Sequence, residues 1–353
     1  MKKNLIIVAA LALATVVATS CKKNNSENTE AVNAESCELS GAGATFPEPF
    51  YTMAFDAYHT SSNNTVSYGG IGSGGGVRNL QDKIVDFAGS DAFLSDDEMR
   101  EMEPVVHVPT CMGAVVLGYN MPEVKTLNLS GELVADIFAG KVTNWDDARI
   151  KELNPDAKLP SKKIIPVFRS DGSGTTFVFT SYLSAVSKDW ESKFGAAKSV
   201  DFPAGQAAKG NPGVASVVDQ TPYSIGYIGS EYAFAQKIQM AVLQNANGEL
   251  VTPTVESISA SANCDLPADT RTMVVNSSAK GAYPISCFTW LIVYQEQNYN
   301  NRTENQARAT VDLLQYMLSD ETQQSASKVN YAPLPKSMVE NSLKNLKKIT
   351  YNG

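Results

Sequence analysis

Histidine is nearly absent from this chain, with two among 353 residues, and three familiar catalytic patterns are missing altogether. There is no G-x-S-x-G elbow, no H-E-x-x-H pair and no Walker A loop, so an activated serine, a zinc-bound water and a P-loop phosphate site have no visible machinery. His59 falls on the polar side of a helical pattern and His107 sits beside Val108 and Pro109, neither next to a candidate nucleophile. Cysteine is scarce too, with five residues and no C-x-x-C pair, which argues against a structural zinc. The one long apolar run, Leu5 to Val17, falls short of the roughly 20 residues that cross a bilayer. An excess of base is also lacking: 29 Lys and Arg against 37 Asp and Glu give a formal charge of −8, which argues against a basic nucleic-acid surface. A small anion would have to be captured by local groups, without help from the overall field.

What is present begins with a leader. Residues 1–20 carry Lys2 and Lys3, an apolar stretch, and Ala18-Thr19-Ser20 before Cys21, the pattern of a secretion signal. Small residues before that cysteine resemble the bacterial lipoprotein box, in which Cys21 becomes the lipidated first residue. Ala18 stands where leucine is commonest, so the match is relaxed and plain secretion is the alternative. Residues 22–36, polar apart from Ala31, Val32 and Ala34, read as a tether. Cys37, Cys111, Cys264 and Cys287 would then meet an oxidising compartment, and sequence leaves open whether they pair or stay free. Removing Lys2 and Lys3 takes the charge to 27 − 37 = −10.

The chain is organised around FRSDGSGTTFVF, residues 168–179. An apolar strand, Ile164 to Phe168, delivers Arg169, whose planar fork of donors suits an oxyanion. Asp171, Gly172, Ser173, Gly174 and Thr175 make a turn without bulk, followed by a helix with Phe179, Tyr182, Leu183 and Val186 on one face. A helix start offers unpaired N–H groups and a positive dipole end. Two further segments repeat the theme. SGAGATFPEPF, residues 40–50, leads into a helix carrying Phe50, Met53, Ala54 and Ala57, with Thr45 and Phe46 at its start. Thr65 to Tyr68 reads as a strand and GGIGSGGG, residues 69–76, as a glycine loop containing Ser73. Gly70, Gly72 and Gly75 also fit the dinucleotide fingerprint, with Asp91 at about the ribose-binding distance. Against that alternative stand the weakness of the pattern alone, its place at the second strand-to-helix turn, and the small access of an exported protein to dinucleotides.

Asp91 closes the apolar segment that begins at Ile84, just before a helix start marked by Ser95 and Glu98 as a capping box. A carboxylate facing an oxyanion is repulsive once water is excluded. It becomes sensible if the ligand carries a proton that the carboxylate accepts, as phosphate does near neutral pH and sulfate does not. Residues 105–119 read as buried strands crossing to a second lobe, and Ile285 to Tyr294 as a buried strand returning. Leu129 to Gly140 reads as a helix, and Val311, Leu314, Met317 and Leu318 mark another. An exported phosphoester hydrolase using Ser173 is the enzymatic alternative, though no activator of that hydroxyl is visible in sequence.

SGAGATFPEP, YGGIGSGGGV, DFAGSDAFLS and FRSDGSGTTFVF together resemble the phosphate-binding proteins of bacterial phosphate ABC transporters, in order and from about residue 38 to the C-terminus. LVADIFAGKVTNWDD, SIGYIGSEYAFA and YAPLP are similar to the same family. The resemblance implies an α/β fold, a two-lobed periplasmic binding protein of type II, each lobe a mostly parallel sheet flanked by helices. It implies lobe 1 over 38–115 and 286–353, lobe 2 over 116–285, and phosphate held between them by Thr45, Phe46, Ser73, Asp91, Arg169, Ser173, Gly174 and Thr175. Asp171 would hold Arg169 by an ion pair. No catalytic residue, cofactor or metal is implied. The partners implied are inorganic phosphate and the membrane subunits of the importer, with the chain a monomer anchored in the periplasm through a lipid on Cys21. Gly74 departs from the family, where a serine is frequent beside Ser73.

The leader reading predicts that Cys21→Ser shifts the expressed protein from the membrane fraction to the soluble periplasmic fraction, checked by fractionation and intact mass. An unmodified Cys21 in the mature wild-type chain would leave plain secretion.

Overall fold

Fifteen consecutive buried residues, Val105–Tyr119, form a single strand to which both parts of the fold attach. The computed structural model describes residues 36–352; the expected signal segment, Cys21 and the tether up to residue 35 lie outside the described residues. Twelve strands run in chain order as β1 (Glu38–Gly43), β2 (Thr65–Gly70), β3 (Phe87–Ser90), β4 (Val105–Tyr119), β5 (Asn128–Leu129), β6 (Ile165–Arg169), β7 (Gln206–Ala208), β8 (Ser224–Gly229), β9 (Gln239–Met240), β10 (Val242–Gln244), β11 (Leu250–Val251) and β12 (Ser286–Tyr294). The main sheet has the order β2-β1-β3-β12-β4-β8-β6-β7, with β9 also on β4, while β11-β10-β5 form a small sheet. Helices connect the strands, so the chain is α/β and two-lobed, as expected.

The junction explains how one sheet serves two lobes. From Val105 to Ala114, β4 pairs antiparallel with β12, and from Val115 to Tyr119 it pairs antiparallel with β8. The outer strands of each half are parallel: β1 with β2 and β3, and β6 with β7 and β8. β4 and β12 pair only antiparallel, yet both are buried along their whole length, so neither shows the polar alternation of a strand with one wet face. The segment around Thr270 turns back onto the first half: its hydroxyl bonds the His107 carbonyl, and Trp290 donates to its backbone oxygen.

Each half has its own aromatic core. Tyr51 and Tyr68 meet edge to face at 5.1 Å in the first, and Phe179 stacks on Tyr227 at 4.4 Å in the second. Such pairs add about 0.5–1.5 kcal/mol beyond the area they bury.

One local expectation is corrected. Residues 69–76 are not loop throughout, because a helix spans Ser73–Gln81 and takes in three consecutive glycines. Glycine is a poor helix former, but here contact overrides propensity. A Cβ on Gly76 would lie 2.4 Å from the Ala42 carbonyl oxygen and 2.5 Å from Gly43 Cα. The helix can lie on the β1 backbone only without side chains on that face.

Gly76→Ala is therefore expected to lower the unfolding free energy by on the order of 2 kcal/mol, since backbone must move to admit the methyl. Gly69→Ala, with nothing within 4 Å of the added carbon, should change it by no more than about 0.5 kcal/mol. Urea titration of the two variants checks the contrast.

Candidate functional site

The parallel strands of both halves aim their carboxyl ends at one region, the place where open α/β sheets gather ligand-facing residues. Thr45 follows β1, Asp91 follows β3 and Arg169 ends β6. Four helices begin there as well: Glu48–Ser62, Ser73–Gln81, Gly174–Val186 and Gly210–Gln220. The sequence-expected residues Thr45, Phe46, Ser73, Asp91, Arg169, Ser173, Gly174 and Thr175 are all buried.

On the first half, the Ser73 hydroxyl accepts the Asp91 N–H at 3.3 Å and, from the second half, the Gly174 N–H at 3.1 Å. The approach is close: a Cβ on Gly174 would stand 2.4 Å from Ser73 Oγ and 2.8 Å from Asp91 Cβ. On the second half, Ser173 caps its helix by accepting the Thr176 N–H, and the Lys198 carbonyl holds the Ser173 N–H. Arg169 is gripped by Asp171 through Nε at 2.8 Å and Nη2 at 2.5 Å, and its Nη1 donates to the Thr175 hydroxyl at 3.3 Å. Burial works to raise the Asp171 pKa, yet the Arg169 pair and the Gly210 N–H outweigh it and hold the carboxyl below its ordinary value.

Asp91 is the opposite case. Its side chain is about 1% exposed, and burial pushes its pKa up to about 7, against the lowering pull of Thr289, Arg169 and Thr175. Thr289 donates to Oδ1 at 2.9 Å and Thr175 to Oδ2 at 3.3 Å. A carboxyl poised near neutrality can take a proton from an acidic hydroxyl, while the surrounding N–H and O–H groups serve only acceptors.

Two residues escaped the sequence reading. Asn211 donates from its backbone and side chain to Thr45 Oγ1, both at 3.0 Å, and Thr289 steadies Asp91. Gly210-Asn211-Pro212-Gly213, the first turn of an apolar helix, was a signal of the kind that marked the other segments. Thr289 gave only a lone hydroxyl inside a buried apolar strand.

The alternatives find little support in the geometry. His107 is buried, which drives its pKa down to about 3, and its Nε2 accepts the Leu94 N–H. His59 bonds the Asn64 carbonyl, so neither histidine is a hydrogen-bond partner of Ser173. In the dinucleotide fingerprint, a Cβ on Gly72 would lie 2.3 Å from Asp171 Oδ2, and the Gly74 N–H is taken by the Gly172 carbonyl. A pyrophosphate would face a carboxylate and an occupied donor. Among the described residues no group of three or more His, Cys, Asp and Glu side chains is arranged to hold a metal, and no described helix is long and apolar enough to cross a membrane.

A family model described as the PBP superfamily domain matches residues 27–321. The phosphate-binding protein PstS of Xylella fastidiosa (strain Temecula1) is 36% identical over 343 residues, covering 92% of this chain and 93% of that protein. PstS of Haemophilus influenzae is 38% identical over 313 residues, covering 87% and 91%. Among solved structures, a phosphate-binding protein from Stenotrophomonas maltophilia superposes with a TM-score of 0.65 at 20% identity, covering 86% of this chain and 92% of that one, which speaks to the fold.

The raised Asp91 pKa fixes the sign of a pH effect. The folded state holds the Asp91 proton up to about pH 7, the unfolded state only to about pH 4, so stability from this group is full at low pH and is lost as pH rises between them. Between pH 5 and 8, phosphate-stripped protein should lose on the order of 2–3 kcal/mol more unfolding free energy than Asp91→Asn. Buried Glu231, with its pKa pushed up to about 8 chiefly by burial and less by the nearby Asp91, acts with the same sign in both proteins, so the comparison removes most of its contribution. Equal pH slopes in urea titrations would contradict the assignment.

Proposed function

The chain belongs to the PstS phosphate-binding proteins of the PBP superfamily, and from that membership we propose that it captures inorganic phosphate in the periplasm and delivers it to the membrane subunits of a phosphate ABC importer. The observation that carries the reading is a buried carboxyl, Asp91, set among groups that otherwise donate: the Ser73, Ser173 and Thr175 hydroxyls, four helix starts and Arg169. A phosphate that keeps a proton satisfies both kinds of group, whereas sulfate would set an acceptor against an acceptor. Thr45, the Phe46 N–H, Ser73 and Asp91 are the ligand groups on the first lobe. Arg169, Ser173, Gly174 and Thr175 are those on the second, with Asp171 behind Arg169.

The lobes are residues 38–115 with 286–353, and residues 116–285. The change of β4 partner between Ala114 and Val115 supports that division, with the segment around Thr270 docked on the first lobe. Closure brings the two sets of groups together, a hinge motion of the kind that binding proteins use. No step of covalent chemistry is assigned, and the chain acts as a monomer anchored through a lipid on Cys21.

Calorimetry of phosphate-stripped protein tests the reading. Wild type should bind phosphate and reject sulfate. Arg169→Ala should weaken phosphate binding on the order of a hundredfold, through loss of charged hydrogen bonds and an uncompensated Asp171. Asp91→Asn should narrow the preference for phosphate over sulfate by at least about tenfold, because an amide can donate where the carboxylate could not. Equal affinity of the wild type for both anions would remove Asp91 as the filter, and no phosphate uptake would overturn the function.

A further inference from the structure

Asn211 is fully buried and makes four hydrogen bonds, three of them to hydroxyls of the site. Its backbone N–H and its Nδ2 both donate to Thr45 Oγ1 at 3.0 Å. Nδ2 also donates to Thr175 Oγ1 at 3.2 Å, and Oδ1 accepts the Gly229 N–H at 2.9 Å. The last bond fixes the amide: a backbone N–H can only donate, so the oxygen faces Gly229 and the nitrogen faces the hydroxyls.

That orientation decides how two hydroxyls behave. A hydroxyl has two lone pairs and one proton. Both lone pairs of Thr45 Oγ1 are engaged by Asn211, so its proton must point elsewhere. Thr175 Oγ1 accepts from Arg169 Nη1 and from Asn211 Nδ2, so it too is left only to donate, and its proton lies toward Asp91 Oδ2. Asn211 belongs to the helix Gly210–Gln220 while Thr45 follows β1, so the contact also joins the two halves of the sheet. Gly210 itself donates to Asp171, which links this helix start to the Arg169 pair.

We infer that Asn211 is a positioning residue that leaves the Thr45 hydroxyl only to donate, holds the Thr175 proton toward Asp91, and clasps the lobes over a ligand made of acceptors. The inference rests on the phosphate reading above. It assigns part of the anion preference to a side chain that need not touch the anion, and it makes lobe closure and donor polarity one event.

The test compares Asn211→Ala and Asn211→Asp by calorimetry with phosphate, alongside thermal unfolding. Asn211→Ala should weaken phosphate binding on the order of tenfold, because the two hydroxyls become free to turn. Asn211→Asp should weaken it further at pH 8, since a carboxylate draws both hydroxyl protons toward itself and adds a negative charge. It should recover part of the loss at pH 5, because full burial at this position raises the introduced carboxyl's pKa and a protonated carboxyl can donate again. A merely structural role would lower the unfolding temperature of both variants in step with affinity and give no pH-dependent recovery. That outcome overturns the inference, as does binding within about threefold of wild type in both. If wild type takes up no phosphate, the functional reading fails. The clasp is then decided separately by a Thr45→Val, Asn211→Ala cycle on unfolding, where additive effects overturn it and coupled ones support it.

Discussion

A carboxyl group taken out of water must be compensated or protonated, and the burial of Asp91 imposes that demand on the rest of the site. Among the described residues no cation bonds to it directly; Thr289 and Thr175 do, and Arg169 acts on it through space. Two neutral hydroxyls cannot hold a fully charged carboxylate in a dry interior at its ordinary pKa, so burial prevails. The group becomes a proton acceptor tuned to neutral pH. The close packing around it, with Ser73 on its N–H and Gly174 against its Cβ, keeps water out and maintains the condition.

Arg169 is the complementary case. Its charge is matched by Asp171, so the pair adds orientation more than net charge, which fits a chain whose overall charge repels anions. Three of its five N–H groups are committed, two to Asp171 and one to Thr175. The fixed fork then presents its remaining donors in one direction. Attraction for an anion comes from the helix starts gathered around it. Each contributes roughly 0.3–1 kcal/mol at an exposed site and more where water is excluded. Local dipoles can thus hold an anion in a molecule of unfavourable sign.

Much of this was legible in the sequence because the site is built from short segments with local signatures. Arg169, Ser173 and Asp91 each sit where an apolar strand gives way to small residues and a helix start, and that punctuation is visible without contacts. The capping box at Ser95 and Glu98 is in place, and so is the 105–119 crossing. What sequence concealed was set by contact between distant segments. Residues 73–76 read as loop because glycine disfavours helix, and only the nearness of the Ala42 and Gly43 backbone makes glycine the residue that lets a helix form there. Asn211 lies 166 positions from Thr45, and Thr289 lies in a strand whose apolar neighbours gave no reason to notice it. Gly70, Gly72 and Gly75 show the converse case, in which a local pattern suggests a ligand that the facing segment does not favour.

The contacts that join the two halves fall into two kinds, and they differ in what they can enforce. At the rim, Lys198 pairs with Glu98 at 2.6 Å, and the carboxylate is substantially exposed; the Arg271 pair with Asp96 instead lies within the first half, on the segment docked there. Pairs of that sort contribute about 0–1 kcal/mol and weaken with salt, so they tolerate opening and set little. Inside, Ser73 meets Gly174 and Asn211 meets Thr45 through hydrogen bonds cut off from solvent, while the Gly74 bond to Gly172 lies nearer the surface. A buried donor or acceptor left unsatisfied costs about 1–3 kcal/mol, so a misaligned closure would forfeit several such amounts at once. Of these groups, Thr45, Ser73 and Gly174 are proposed above to hold the anion, while Asn211 positions Thr45. On that proposal, registration of the halves and recognition of the ligand share part of one set of hydrogen-bonding groups.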